Sequence, residues 1–278
     1  MDLEISDPRF REAVAAIDAG DIGALRRLLA AHPELVRERA DCGEGYFHRP
    51  YLLWFVAENP VRNDRLPANI GQIARTLIEE LERQAVESRR AQLDYTLELV
   101  CSGRVPREQG VQRELIDLLV GAGADPDSAM LCCLAHRELD AAERLLDHGA
   151  ILTLTAAVCT GRRDEIGRLA AAAAPEERGT AFAAAALYGD VAALTLLLGL
   201  GAEPAAHGPP GFHAHATALH HAVESGSLAA VKLLVEAGAD LGKRDLIYHA
   251  TPLGWAEHLD RGEIAGYLRE QGAPGGGA

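Results

Sequence analysis

Histidine is the residue type with potential chemistry that is most concentrated in this chain. Seven of the eleven histidines lie between positions 207 and 258, and His213 and His215 form a His-x-His pair. Imidazole is the commonest transition-metal ligand, and it titrates near neutral pH. An extended His-x-His pair points both rings to one side, which can begin a zinc site. A further ligand would come from His249, Glu224 or His258. No ligand set of established spacing is present, so a metal site built on His213 and His215 is an alternative hypothesis.

Motifs for nucleophilic catalysis and for nucleotide binding do not occur in the sequence. It has no Gly-x-Ser-x-Gly elbow, no GxxxxGK[ST] loop and no GxGxxG turn after a strand. The five cysteines form an odd set without a Cys-x-x-Cys pair, which fits a reducing compartment better than a disulfide framework. We therefore expect a cytoplasmic protein with no cofactor.

Aromatic side chains are concentrated near the N-terminal end of the chain. Segment 46–55 holds five of the thirteen aromatic residues. Aromatic and arginine side chains are favoured anchors at the centres of interfaces. Tyr46, Phe47 and Arg49 are therefore candidates for contact with a partner, whereas Trp54 and Phe55 are expected to pack in the core.

Composition and charge limit the classes of partner. Apolar residues make up 48% of the chain and charged residues 24%, so it can bury a core. The net charge of −14 disfavours nucleic acid and anionic membrane surfaces, and it favours a basic or neutral partner. No apolar run approaches the roughly 18–20 residues of a membrane span.

A repeated helical unit must position these residues. A break residue and a closing glycine stand twelve residues apart in three copies, at Gly189 and Gly201, Gly226 and Gly238, and Asp260 and Gly272. An Ala-rich segment precedes each break. A segment with leucines at helical spacing follows it. Weaker copies extend the pattern toward the N-terminus, which predicts about eight helical hairpins.

The first residues of the last two copies follow one motif. Thr251-Pro252-Leu253 and Ala256 match TPLH-x-A with Gly254 in place of histidine, and segment 217–222 matches it with Ala218 in place of proline. The pattern resembles the ankyrin repeat. This resemblance implies an all-α, ankyrin-type helical-hairpin solenoid of about eight repeats, several lacking full finger hairpins. Inner helices and projecting fingers would line a concave face.

The array is expected to form a single domain with local irregularities. Segment 82–90 is predicted to extend the outer helix of the second repeat by about two turns. The boundaries are residues 1–273 for the domain, 274–278 for a flexible tail, insertions near 60–69, 82–90 and 103–110, and a long finger at 202–216.

The resemblance also implies which side chains face the groove. His220 occupies the histidine position of the motif and is interpreted as structural, and His221 is interpreted as packing between inner helices. The groove candidates on inner helices are Glu58, His136, Tyr188, Glu224 and His258. Those on fingers are Tyr46, Phe47, Arg49, His213, His215 and Tyr248.

Two functions are compatible with these positions. The leading hypothesis is a module that binds a protein or peptide through its concave face and fingers. The alternative is a groove that binds a small molecule or a metal, with acid–base chemistry if its side chains lie about 3 Å from a substrate. The residues for that chemistry would be Glu58, His136, Tyr188, Glu224 and His258.

Overall fold

The structure is a computed structural model that describes residues 4–275. Its internal contacts form two compact units, unit 1 (Met1–Ile151) and unit 2 (Leu152–Ala278). The described residues contain helices and two isolated β-bridges but no strand. No helix in this part of the chain has both the length and the apolar character needed to cross a bilayer.

Unit 1 is built from helices that pair along the chain. Its α-helices are α1 (Pro8–Ala19), α2 (Ile22–Ala31), α3 (Ile70–Arg83), α4 (Arg89–Cys101), α5 (Arg104–Glu108), α6 (Gln112–Gly121), α7 (Pro126–Ala135) and α8 (Leu139–Asp147). Its 3₁₀ helices are Pro33–Val36, Gly45–Phe47 and Leu52–Ala57. An inner row runs α1, Leu52–Ala57, α4 and α7, and an outer row runs α2, α3, α6 and α8.

Unit 2 has the same organisation. Its helices are α9 (Leu154–Cys159), α10 (Arg163–Ala172), α11 (Pro175–Tyr188), α12 (Val191–Gly199), α13 (Ala218–Ser225), α14 (Leu228–Glu236), α15 (Pro252–His258) and α16 (Gly262–Glu270). The odd-numbered helices pack on one another in an inner row, and the even-numbered helices form an outer row. Each unit therefore stacks four helical hairpins within the described residues.

The predicted break residues lie where the chain reverses between the two helices of a hairpin. Gly189 (φ 67°) and Gly226 (φ 77°) end α11 and α13 in the left-handed conformation. Arg137 (φ 59°) and Asp260 (φ 57°) adopt the same conformation at the equivalent positions. Most L-residues adopt this conformation only at a cost, which explains why glycine recurs there. The twelve-residue spacing is confirmed as a spacing between turns.

The core of unit 2 lies between the two rows of helices. Ala184, Ala185 and Ala186 of α11 are fully buried, as are Leu194 of α12 and Leu234 of α14. Small inner-helix side chains let neighbouring repeats approach closely, and the outer-helix leucines fill the space behind them. The Ala-rich segments of the sequence therefore form the closely packed inner helices, and the Leu-rich segments form the outer helices that fill the core.

The irregular segments differ in part from expectation. The predicted extension of α3 through 82–90 is wrong, because α3 ends at Arg83 and α4 begins at Arg89. Ala85 has a left-handed φ of 48°, which a continuous helix does not contain. The insertion at 103–110 contains α5. Of the predicted tail, 274–278, the last three residues lie outside the described part of the chain.

Candidate functional site

Unit 2 contains a cavity of about 650 Å³ on the side of its inner helices and fingers. Five sequence-predicted site residues line it: His213, His215, Glu224, Tyr248 and His258. The other lining residues are His221, Ala250, Gly254, Trp255 and Leu259. We call this the histidine cavity. It brings together residues from α13, from α15 and from two fingers.

His220 fixes the framework behind the cavity. Its Nδ1 accepts hydrogen bonds from the Thr217 backbone N–H (3.3 Å) and hydroxyl (2.8 Å), and its Nε2–H donates to the Ala250 carbonyl oxygen (3.1 Å). Burial lowers the pKa of His220 to about 4, so the imidazole is neutral and has the one donor and one acceptor that these bonds need. The structural interpretation of His220 agrees with this geometry.

His221 and Glu224 form one wall of the cavity on successive turns of α13. His221 is 1% exposed, and neither ring nitrogen has a hydrogen-bond partner. Its Nδ1 lies 3.8 Å from Glu224 Oε2, beyond hydrogen-bonding distance. The side chain of Glu224 is 42% exposed, and its backbone carbonyl accepts from the Arg261 guanidinium at 3.1 Å. The wall thus combines a buried imidazole with an accessible carboxylate.

The long finger holds His213 and His215 at the cavity. Phe212 is fully buried and anchors the finger in unit 2. Ala216 N–H donates to the His213 carbonyl, and Leu246 N–H donates to the His215 carbonyl at 2.8 Å. The two imidazole ring centroids lie 5.9 Å apart. The second of these bonds ties the long finger to the last finger, so both present their side chains together.

Asp245 organises the last finger. It is 1% exposed, and its carboxylate accepts hydrogen bonds from four N–H groups, those of Ile247, Tyr248, Ala250 and the Trp255 indole. Burial acts to raise the pKa of Asp245, but the hydrogen bonds outweigh it and lower that pKa to about 2. The turn closed by this carboxylate leaves Leu246 60%, Ile247 59% and Tyr248 71% exposed at its tip. Three consecutive large side chains therefore project beside the cavity from a fixed turn.

Two imidazoles that line the cavity, those of His215 and His221, are uncharged at neutral pH. Burial lowers the pKa of both His215 and His221. None of the ten lining residues is Lys or Arg, and Glu224 is the one carboxylate among them. The lining is therefore aromatic and weakly polar with a single acidic group. Within residues 4–275, no group of three or more His, Cys, Asp or Glu side chains is arranged to hold a metal ion.

Unit 1 contains the predicted contact residues of the aromatic segment. These residues differ in how exposed their side chains are. Tyr46 is 58% exposed, and its hydroxyl donates to Asn59 Oδ1 at 3.0 Å. Arg49 is exposed with a left-handed φ of 50°. The prediction that Phe47 contacts a partner is corrected, because its side chain is 1% exposed and packs against Trp54 and Phe55. Its ring belongs to the core and is not available to a partner.

Glu58 also has a structural position. It is 1% exposed, and its carboxylate forms an ion pair with Arg62 (2.8 Å) and accepts backbone N–H groups of segment 62–64. Arg62 in turn pairs with Asp18 of α1 at 2.8 Å. Glu58 therefore anchors the insertion at 60–69 and is not presented to a groove. It is corrected from a candidate acid–base group to a structural one.

The remaining predicted residues do not line the histidine cavity. His136 is exposed in unit 1, and its Nδ1 lies 3.0 Å from the Cys132 carbonyl oxygen. Tyr188 is half-buried at the end of α11 in unit 2, where it contacts Cys159. Of the five residues proposed for acid–base chemistry, only Glu224 and His258 share the cavity.

Sequence reasoning missed four residues around the cavity. His221 was assigned to packing, and Trp255, Leu246 and Ile247 were not selected. The run Leu246-Ile247-Tyr248 directly after Asp245 was a usable signal, because three large apolar residues following a turn-forming aspartate are unusual on a surface. His221 had no such signal, since its neighbour His220 explains a histidine at the motif.

Comparison with known proteins relates the repeats of unit 2 to a family model. The family model described as ankyrin repeats (3 copies) matches residues 154–245 and 182–274. The matched residues include every residue that lines the histidine cavity. No curated protein matches the chain.

Proposed function

We propose, from the premise that the chain belongs to the ankyrin repeat family, that it binds a protein or peptide through the histidine cavity and the adjacent finger tip. Ankyrin repeats generally mediate protein–protein interaction. The fold is the all-α, ankyrin-type fold that the sequence predicts. The family gives the class of function, and the geometry of unit 2 supports the location.

The observation that carries the location is the exposed tip of the last finger. Leu246, Ile247 and Tyr248 are each more than half exposed, although each has a large apolar surface. Burying such side chains against a partner is favourable by about 1.5–3 kcal/mol each, before the cost of association is counted. Because Asp245 already holds the turn, little further ordering is needed on binding. This rigid apolar tip beside a cavity is well suited to a partner.

Charge and cysteine chemistry refine the proposal. The net charge of −14 favours a basic or neutral partner over nucleic acid or an anionic membrane. All five cysteines are free, which supports a reducing, cytoplasmic location.

The proposal is tested by selecting random peptides on the immobilised protein. The selected peptides are then measured against a variant with Leu246→Ser and Tyr248→Ser. We expect binding to weaken about tenfold or more, because apolar anchors at an interface centre carry most of the affinity. Leu200→Ser is the matched control, since Leu200 is 42% exposed in unit 2 but lies outside the cavity lining. Equal loss in both variants, or loss in neither, would contradict binding at the finger tip.

A small-molecule site is the second candidate, and the size of the cavity favours it. A volume of about 650 Å³ lies within the usual range for ligand pockets, which are largely apolar with a few converging polar groups. Thermal-shift screening of small aromatic amines distinguishes the candidates. A stabilisation that Trp255→Ala abolishes and Leu246→Ser preserves would favour the small molecule, because Trp255 lines the cavity whereas Leu246 does not.

A further inference from the structure

We infer that the histidine cavity recognises an arginine side chain of the bound peptide. The inference rests on the proposed peptide-binding function and names the group that enters the cavity. It follows from three features of the lining, namely its charge, its flat ring surfaces and the position of its carboxylate.

The charge of the lining selects a cation. The cavity has a carboxylate, Glu224, and none of the ten lining residues is Lys or Arg. The half-buried His215 and the buried His221 are neutral at pH 7, so these two imidazoles do not offset that negative charge. A cation brought by a partner is therefore complementary to the cavity and to a chain of net charge −14.

The ring surfaces favour a planar cation. The Trp255 indole lies beside the His215 ring, with centroids 6.1 Å apart and planes inclined by 35°. Tyr248, which is 71% exposed, adds a phenol ring to the lining. A guanidinium group stacks on aromatic faces and donates hydrogen bonds from its edge, whereas an ammonium group is a compact and strongly hydrated charge. The lining therefore suits arginine better than lysine.

The Glu224 carboxylate supplies the hydrogen-bond acceptor for the edge of the guanidinium group. The side chain of Glu224 is partly exposed, so it can accept from an incoming guanidinium without being drawn out of the core. His221 lies behind it, with Nδ1 3.8 Å from Oε2. Neutral His221 adds no competing charge next to the carboxylate. Arginine is also among the residues most enriched at interface centres.

Three blocked tripeptides test the inference on the full chain: acetyl-Ala-Arg-Ala-amide and its lysine and citrulline counterparts. Citrulline keeps the shape of arginine and removes its charge. The readout is the indole N–H signal in ¹⁵N-labelled protein, because the chain has two tryptophans, Trp54 in unit 1 and Trp255 at the cavity. Trp54→Phe assigns the two signals. We expect the arginine peptide to shift the Trp255 signal saturably and to leave the Trp54 signal in place.

The cavity is expected to prefer the arginine peptide over the other two peptides. The citrulline and lysine peptides should bind more weakly than arginine, by about fivefold or more, and salt should weaken arginine binding. Glu224→Gln should weaken arginine binding by about the same factor, whereas the exposed Glu236→Gln on α14 should not.

The inference would be overturned by equal binding of the arginine and citrulline peptides, or by an unchanged affinity in Glu224→Gln. Stronger binding of lysine than of arginine would also overturn it in favour of an ammonium site. The finger-tip experiment is decided separately, because randomly selected peptides need not contain arginine. Failure of the arginine test together with retained finger-tip binding would leave the proposed function in place and remove only the arginine assignment.

Discussion

At the scale of single residues, the two adjacent histidines of α13 have separate roles. His220 satisfies both ring nitrogens with backbone and hydroxyl groups, and it joins α13 to the segment that enters α15. His221 has no such partners, and it lies at the wall of the cavity. His220 is therefore structural, whereas His221 belongs to the candidate site. The two differ because consecutive positions on a helix face different directions.

The burial of His220 predicts a pH dependence of stability. Its pKa is about 4 in the folded protein, against about 6.5 in the unfolded chain. The unfolded chain therefore takes up a proton first, and the free energy of unfolding falls as the pH drops below about 6.5 and keeps falling toward pH 4. Between about pH 7 and pH 5, the wild type should lose about 2 kcal/mol more than His220→Gln.

Urea unfolding of both proteins at the two pH values measures this difference. His215 and His221 also have lowered pKa values, but they contribute to both proteins and cancel in the comparison. The exposed His258→Gln is the matched control and should follow the wild type. Parallel loss of stability in wild type and His220→Gln would show that the buried imidazole is not the titrating group.

At the scale of elements, the turn between the helices of a hairpin sets the spacing of the sequence. Asp260 occupies the break position that glycine holds in the two preceding repeats, and its φ is 57°. Glycine adopts this conformation at no steric cost, so Asp260→Gly should stabilise the protein by about 0.5–1 kcal/mol. Thermal unfolding measures the gain. Glu263→Gly, in the first turn of α16, should instead destabilise by a similar amount, and a loss of stability in both variants would contradict the argument.

The sequence predicted elements better than it predicted the fingers. Break residues and leucine spacing located the hairpins, because helix periodicity and the left-handed turn leave a local signal. The end of α3 left no such signal, because the residue in the left-handed conformation after this helix is Ala85 (φ 48°) and not a glycine. Five cavity residues were found because inner-helix and finger positions follow from the repeat. Phe47 and Glu58 were misassigned, because burial in an irregular segment depends on contacts that spacing alone does not encode.

At the scale of the whole molecule, stability is expected to be a sum over neighbouring hairpins. In unit 2, consecutive outer helices contact each other, so α14 packs between α12 and α16. A defect in α14 should therefore loosen its own hairpin and the adjacent ones before it affects more distant repeats. Local unfolding is the observable that distinguishes this behaviour from a single cooperative core.

Leu234→Ala provides that defect. Leu234 is fully buried in α14, and truncating such a side chain costs about 2–5 kcal/mol because a cavity remains. Hydrogen exchange should accelerate most in α13 and α14, less in α12 and α16, and least in α9 and α10. Leu196→Ala is the matched control, since Leu196 is 37% exposed on α12 and should cost far less. Uniform acceleration across unit 2 would mean that its repeats unfold together, and a cost near zero would contradict the assignment of Leu234 to the core.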